Sequence, residues 1–361
     1  MSGLDCAVQV QRGDFELNAA VRAAPGEVLA VIGANGSGKS TLLGAIAGTH
    51  PIANGSVRLG SRVLCSRGGQ APTVSLRRSA RRVGFLDQRA RLFPHLSARA
   101  NIAFGPRAQG ESRRTAEATA EEWLVRVGLS GRGDARSSQL SGGQQQRVAI
   151  ARTLAADPAL LLIDEPFAAL DVTSSGELRE LIATEARRMQ IPVVLVSHDP
   201  IDLISLASRV VVLEAGAVTQ SGTVAEVLGS PETPFAAAFT GRVLLRGTAS
   251  DSGVLTPDAP LRELHGVGKL PSPGTAASAS FEAAAVRVVP DPAPSSATEN
   301  SWSGTISAIS AGPAGVRLEC AEWPGIYAEL PLSRAFEPWI TVGASARWEL
   351  PTEAVRFGTP H

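Results

Sequence analysis

Short apolar runs alternate with amphipathic stretches through the first part of this chain. Val28 to Ile32, Leu160 to Ile163, Val193 to Val196 and Val210 to Leu213 are continuous, β-rich and bounded by Gly, Pro or charge, as strands buried on both faces are. Ser40 to Ala47, Gly142 to Ala155 and Gly176 to Arg188 carry helical spacing. Strand and helix in alternation predict an α/β domain over residues 1 to 241, with a largely parallel sheet covered on its faces.

The texture changes after Arg242. "PSPGTAASAS" and "VVPDPAPSSATEN" are rich in Pro, Ser and Ala and poor in large apolar groups, so residues 242–299 read as a linker, with "LLRGTASDSGVLT" alternating enough to pair as a small hairpin. From Trp302 the alternation returns in "WSGTISAI", "VRLEC", "IYAELP" and "ARWELP". Short strands so closely spaced predict a small β-barrel over residues 300–358.

Composition narrows the function. The 361 residues are 44% hydrophobic and 19% charged, and 34 basic groups cancel 34 acidic ones, which argues against bulk nucleic-acid binding but not against a local phosphate site. Cys6, Cys65 and Cys320 are odd in number, far apart and without CxxC or zinc-ligand spacing, so neither a disulfide framework nor a structural metal is expected. No basic-then-apolar leader opens the chain, and its apolar runs are shorter than the ~20 residues that span a bilayer. The expectation is a cytosolic chain that meets a membrane only through a partner.

Lysine is nearly absent, yet Lys39 stands between a glycine and a serine. The stretch Gly33-Ala34-Asn35-Gly36-Ser37-Gly38-Lys39-Ser40 satisfies G-x-x-x-x-G-K-[ST], follows the run "VLAVI" and opens, with Thr41, a predicted helix. Glycines let the backbone curl around a phosphate chain with its N–H groups turned inward, and the helix adds the positive end of its dipole. A compact ammonium fits inside such a ring where arginine's planar fork does not. Lys39 is therefore read as the contact to the β- and γ-phosphates, and Ser40 as a Mg²⁺ ligand.

Two further segments carry chemistry. "ALLLIDEP" ends an apolar run on Asp164 and Glu165, and ligands of parallel sheets bind beyond the carboxyl ends of the strands. Asp164 is thus a candidate to hold Mg²⁺, usually through water, and Glu165 a candidate to polarise the attacking water. In "LSGGQQQRVAIARTLA", Ser141 reads as an N-cap, and Gly142, Gly143 and Gln144 open an amphipathic helix whose N-terminus can accept an anion.

Together these segments resemble the ATP-binding cassette family. "LSGGQ" from Leu140 is similar to its signature, Gln88 in "RRVGFLDQ" to its Q-loop, Ala169-Leu170-Asp171 to its D-loop, and His198 in "VVLVSHD" to its switch histidine. The likeness implies a P-loop fold with a helical subdomain, ATP and Mg²⁺ as cofactors, and a head-to-tail homodimer. In that dimer Ser141, Gly142, Gly143 and Gln144 of one copy close on the γ-phosphate held by Lys39 of the other, with Asp171 nearby. It also implies that His198 touches the γ-phosphate and that Gln88 links Mg²⁺ and the water to a membrane partner. The family's adenine-stacking aromatic has Phe15 as its candidate here, with plain core packing as the alternative.

Chromosome-maintenance relatives insert coiled coils between the two phosphate motifs, but no sustained heptads occur between Lys39 and Ser141. "RARLFPHLSARANIAFG" resembles the importer region that receives a permease's coupling helix, although Leu92, Phe93, Leu96 and Ile102 read equally well as core. "NSWSGTISAIS" resembles the start of an OB-like Mop/TOBE barrel. The resemblance therefore implies a peripheral subunit on the cytoplasmic face of the cell membrane, bound to separate permease subunits and served indirectly by an extracytoplasmic solute-binding protein. Molybdate is the expected substrate. Sulfate or thiosulfate, iron and polyamine are alternatives, as is a soluble oxyanion-sensing regulatory ATPase.

Overall fold

The computed structural model describes residues 3–69, 72–167, 170, 172–250, 255–257, 263–268, 270–291, 300–312 and 315–358. Two compact units divide the chain between Ala225 and Glu226. The first is built on an eleven-stranded sheet of β1 (Leu4–Arg12), β2 (Phe15–Ala23), β3 (Val28–Ile32), β4 (Asn54–Leu59), β5 (Arg62–Arg67), β6 (Val74–Ser75), β7 (Val83–Leu86), β8 (Leu160–Asp164), β9 (Val193–Val196), β10 (Arg209–Glu214) and β11 (Ala217–Thr223). Its order is β6-β5-β4-β1-β2-β11-β10-β3-β9-β8-β7.

The stretch from β10 through β3, β9 and β8 to β7 is parallel, as is the short pairing of β11 with β2. The half built on β1, β2, β4, β5 and β6 is antiparallel. The expected largely parallel sheet is thus half the truth, and the sequence explains why. β3 and β9, at the centre of the parallel part, are apolar and buried throughout, being covered on both faces, whereas β1 and β2 alternate buried and exposed positions because one face meets solvent.

The helices that matter to the site are α1 (Lys39–Ala47), α2 (Ala98–Ala108), α3 (Arg113–Arg126), α4 (Gly142–Ala155), α5 (Val172–Met189) and α6 (Pro200–Leu206). Successive strand residues face opposite ways, so the central strands divide two cores. Leu160 and Leu162 of β8, with Val194 and Val196 of β9, pack in the core that holds α1 through Leu42, Leu43 and Ile46. Leu161, Ile163, Val193 and Leu195 pack in the core that holds α2 to α5, through Ile102, Leu124, Val148, Ile150 and Ile182. Among the described residues no helix is long and apolar enough to cross a membrane.

Among the described residues the second unit contains nine strands: β12 (Arg242–Ala249), β13 (Leu255–Pro257), β14 (Ala276–Glu282), β15 (Arg287–Pro290), β16 (Asn300–Gly312), β17 (Gly315–Cys320), β18 (Tyr327–Leu330), β19 (Ser345–Leu350) and β20 (Arg356–Gly358). They form one sheet ordered β13-β12-β14-β20 and another ordered β15-β19-β16-β17-β18. β12 and β13 pair as the hairpin suggested by the alternation. The divisions expected at residues 241 and 299 are not those of the structure. Residues 242–290 supply four strands, β15 pairs with β19 and β14 with β20, so a cut at 299 passes through both sheets. The Ala-rich composition misled because Ala277, Ala279 and Ala283 are fully buried beside Phe281, where small side chains suit close packing.

Candidate active site

The glycine loop occupies the end of β3. At Gly33 a Cβ would lie 2.1 Å from the Leu213 carbonyl oxygen of neighbouring β10, so no side chain fits. Gly38 has φ 108°, and a Cβ there would meet Phe15 Cζ at 2.9 Å. That left-handed residue turns the chain from the loop into α1, whose side chains are nearly all buried. Lys39 is buried and its Nζ donates to the carbonyls of Gly33 (2.7 Å) and Ala34 (2.9 Å). Burial pulls the Lys39 pKa below its ordinary value, while nearby Glu165 and Asp164 act to raise it.

A cleft of about 700 Å³ opens over this loop, lined by Asn35, Gly36, Gly38, Lys39, Ser40 and Thr41 on one side and by Asp164 and Glu165 on another. Phe15 lines it too, so the aromatic reaches the nucleotide-sized space as well as packing against the core. Arg12, the last residue of β1, and Gly13, from the turn to β2, complete the lining. Sequence reasoning missed Arg12. Its only signal was proximity to Phe15 in "QRGDFELN".

The acids sit at the carboxyl end of β8. Ser40 hydrogen-bonds to Asp164, whose pKa is raised by burial and by the charges of Glu165 and Asp87, against the lowering pull of Lys39 and Ser40. Glu165 adopts φ 47°, uncommon for a residue with a Cβ, and its N–H donates to the Val196 carbonyl at 3.0 Å. Its carboxylate is held from two sides. Gln88 Nε2 donates to Oε2 at 3.3 Å, and His198 Nε2 lies 2.8 Å from Oε1. Gln88, Glu165 and His198 come from three separate loops, and the structure brings them to one point.

The residues that flank His198 are braced. Arg179 on α5 donates to Asp202 (2.6 Å) and Asp199 (3.3 Å), and its guanidinium lies 5.0 Å from the Phe167 ring centre. Ser197 donates to Asp202 and accepts from the Asp199 N–H at 3.0 Å. Burial raises the Asp202 pKa despite the Ser197 and Arg179 contacts. None of these bracing residues was singled out from the sequence.

Ser141, Gly142, Gly143 and Gln144 are placed elsewhere. They open α4 through a reciprocal cap: Ser141 Oγ accepts from the Gln144 N–H at 3.3 Å, and Gln144 Oε1 from the Ser141 N–H at 3.0 Å. Ser141 and Gly142 are exposed, and none of the four lines the phosphate cleft of the same chain. Asp171 and Ala169 lie outside the described residues. In the importer-like segment Ile102 is fully buried in the core, whereas Phe104 is 49% exposed beside Phe93.

Residues 17–168 match the family described as ABC transporter. The chain is 42% identical over 290 residues to the molybdenum import ATP-binding protein ModC of Mycobacterium tuberculosis, covering 77% of this chain and 76% of that protein. The chain belongs to the ABC transporter family. Other relatives are the sulfate/thiosulfate import protein CysA of Synechococcus elongatus, 41% identical over 60% of this chain and 61% of that one, and the Fe(3+) ions import protein FbpC of Streptomyces coelicolor, 39% identical over 82% of each. Among solved structures, the ATP-binding cassette MJ0796, a dimer in a post-hydrolysis state bound to ADP and Pi, superposes with a TM-score of 0.52 at 28% identity. It is covered over 99% of its length by 62% of this chain. The first unit is thus an ABC ATPase cassette.

Proposed function

We propose that this chain is the ATP-hydrolysing subunit of an importer that takes up molybdate, working as a homodimer on membrane permease subunits at the cytoplasmic face of the cell membrane. The observation that carries the reading is Glu165, poised between Gln88 and His198 at the lip of the cleft that holds Lys39. The substrate assignment is supported by the 290-residue likeness to a molybdenum import protein, which is longer than the cassette unit and so extends into the second. The iron import relative, similar over 311 residues, makes iron the second reading.

The β- and γ-phosphates lie in the cradle of Gly33, Ala34, Asn35, Gly36, Ser37 and Gly38, where Lys39 exchanges its two carbonyl partners for phosphate oxygens. Ser40, Asp164 and Gln88 would be the oxygen donors for Mg²⁺, which when bound would neutralise charge on the phosphates. Their chemistry suits that ion: Gln88 spends its amide N–H on Glu165 and keeps its oxygen free, and Asp87, Asp164 and Glu165 crowd negative charge around one spot. Among the described residues no cluster of His, Cys, Asp and Glu could cage a metal alone, as befits a cation that arrives with its nucleotide.

Glu165 takes the proton of the attacking water as the new O–P bond forms and the bond to ADP breaks. His198, released from Glu165, donates to the γ-phosphate. Ser141, Gly142, Gly143 and Gln144 of the second copy cover that phosphate from the other side, with Asp171 at the seam, and Phe15 stacks on the base. Dimer closure moves the permease, which a solute-binding protein outside the membrane supplies.

The test is ATP hydrolysis by the chain reconstituted with its permease. Molybdate-loaded binding protein should stimulate turnover, and sulfate- or iron-loaded protein should not; equal stimulation by all three overturns the substrate assignment. Glu165→Gln should bind Mg·ATP and form a stable dimer while turnover falls by about 10²–10⁴-fold. Full turnover in that variant would remove Glu165 as the base.

A further inference from the structure

We infer that the first unit carries a second phosphate site, at the far end of α1 from the phosphate loop, where Arg67 and Arg81 with the hydroxyls of Thr73 and Ser75 take a phosphate group, free or as a small monoester. The distribution of charge along the sequence points there first. The chain is neutral as a whole, yet between Glu27 and Asp87 it holds no acid, against one lysine and seven arginines. The lysine is Lys39 of the loop. Two of the arginines, Arg67 and Arg81, line one pocket of about 380 Å³, a size suited to a small molecule, and no acid lines it with them.

The fold puts the four side chains together. Cys65 and Arg67 lie two apart on β5 and share a face, and Ser75 on edge strand β6 pairs with Cys65, which places Ser75 on that face too, with Thr73 two residues before it. Cys65 packs in the core that holds α1, so this is the α1 side of the sheet. Arg81 arrives from the short helix Arg78–Arg81 and lies against Gly48, the cap of α1, where a Cβ would come within 2.5 Å of its Cζ. It is 3% exposed and has no carboxylate partner among the described residues. Its Nε donates to the Leu76 carbonyl at 3.1 Å, and its Nη1 to those of Ala45 and Ile46 at 3.0 and 2.8 Å. Nη2 is left with two N–H groups and no acceptor among the described residues. Arg67 reaches only the Ile52 carbonyl, at 3.5 Å, and the hydroxyls of Thr73 and Ser75 have no partner among the described residues. A buried cation without a counter-ion is costly. A phosphate dianion balances both guanidinium groups, and its oxygens accept from their forks and from the hydroxyls, whereas a carboxylate would leave one charge over.

Binding is measured by calorimetry on the full chain carrying Lys39→Ala, so that the phosphate loop contributes little, with sodium phosphate and glycerol phosphate each titrated alone. The expected result is saturable binding, and the tighter of the two shows whether the free ion or a monoester is the occupant. Arg67→Ser, which removes one fork, and Ser75→Glu, which seats a carboxylate in the pocket, are both at exposed positions and should each weaken it by at least about ten-fold. Arg81→Lys, which keeps the charge but loses Nη2, should weaken it as well. No saturable binding of either ligand, or binding that Arg67→Ser and Ser75→Glu leave unchanged, overturns the site.

Discussion

Replacing Arg179 by Met removes the cation that joins α5 to the loop bearing His198. The Arg179 and Asp202 side chains are 11% and 3% exposed, so the change strands a carboxylate in a nearly dry place with only the Ser197 hydroxyl left to it. Breaking a buried pair from one side costs about 3–5 kcal/mol, and the contact with Phe167 adds about 0.5–2 kcal/mol. At ~2–4 °C per kcal/mol for a domain of this size, the melting temperature should fall by roughly 7–28 °C. The double-mutant cycle of Arg179→Met with Asp202→Asn, followed by urea denaturation, separates the terms. The double variant should be more stable than Arg179→Met alone, because it no longer buries an unpaired charge. The sign with pH follows: Asp202 already has a raised pKa, and losing Arg179 raises it further. The deficit of Arg179→Met is therefore largest where Asp202 is charged and shrinks as pH falls and the carboxyl takes up its proton. Turnover should drop while the KM for ATP changes little, since His198 is loosened and the cradle is untouched. A loss below about 1 kcal/mol, or a double variant no more stable than the single, would refute the reasoning.

Asp164→Asn should make the nucleotide-free protein more stable at neutral pH, since burial, Glu165 and Asp87 all disfavour the charge that Asn lacks. Because its folded pKa is raised, that advantage is full above the raised value and vanishes as pH falls below the ordinary carboxylate range; thermal melts across pH check it. Gly38→Ala forces a left-handed residue with a Cβ against Phe15 and Leu17, costing about 1–2 kcal/mol of backbone strain alone, and fluorescence titration should show weaker ATP binding. Arg81→Met removes donors to the Ala45 and Ile46 carbonyls, which end α1, at 3.0 and 2.8 Å. It should cost about 1.5–3 kcal/mol, read by urea denaturation.

What could be read from the chain was what is local. The phosphate loop, the strand ending in Asp164 and Glu165, and the capped helix after Ser141 each occupy one continuous stretch, so spacing alone exposes them. That Glu165 meets both Gln88 and His198 depends on β7, β8 and β9 lying side by side, which no single window contains. The family likeness supplied those three roles, but not Arg179, whose partners lie beyond the next strand. The antiparallel half of the sheet was missed because β1 and β2 alternate weakly, with Ala7, Ala19, Ala20 and Ala23 blurring the contrast. Composition misplaced the second unit for the opposite reason: small buried residues in β14 imitate a linker.

Strand β8 is a wall one side chain deep on each face, with helices wedged against both. A load applied to α2 or α3 therefore has little soft material through which to dissipate before it reaches Asp164 and Glu165, since well-filled interiors compress poorly. The carboxyl end of the strand is tied to β9 through Asp164 and the Glu165 N–H, so a shift of the packed helices is handed to both strands and to the carboxylates and His198 that they carry.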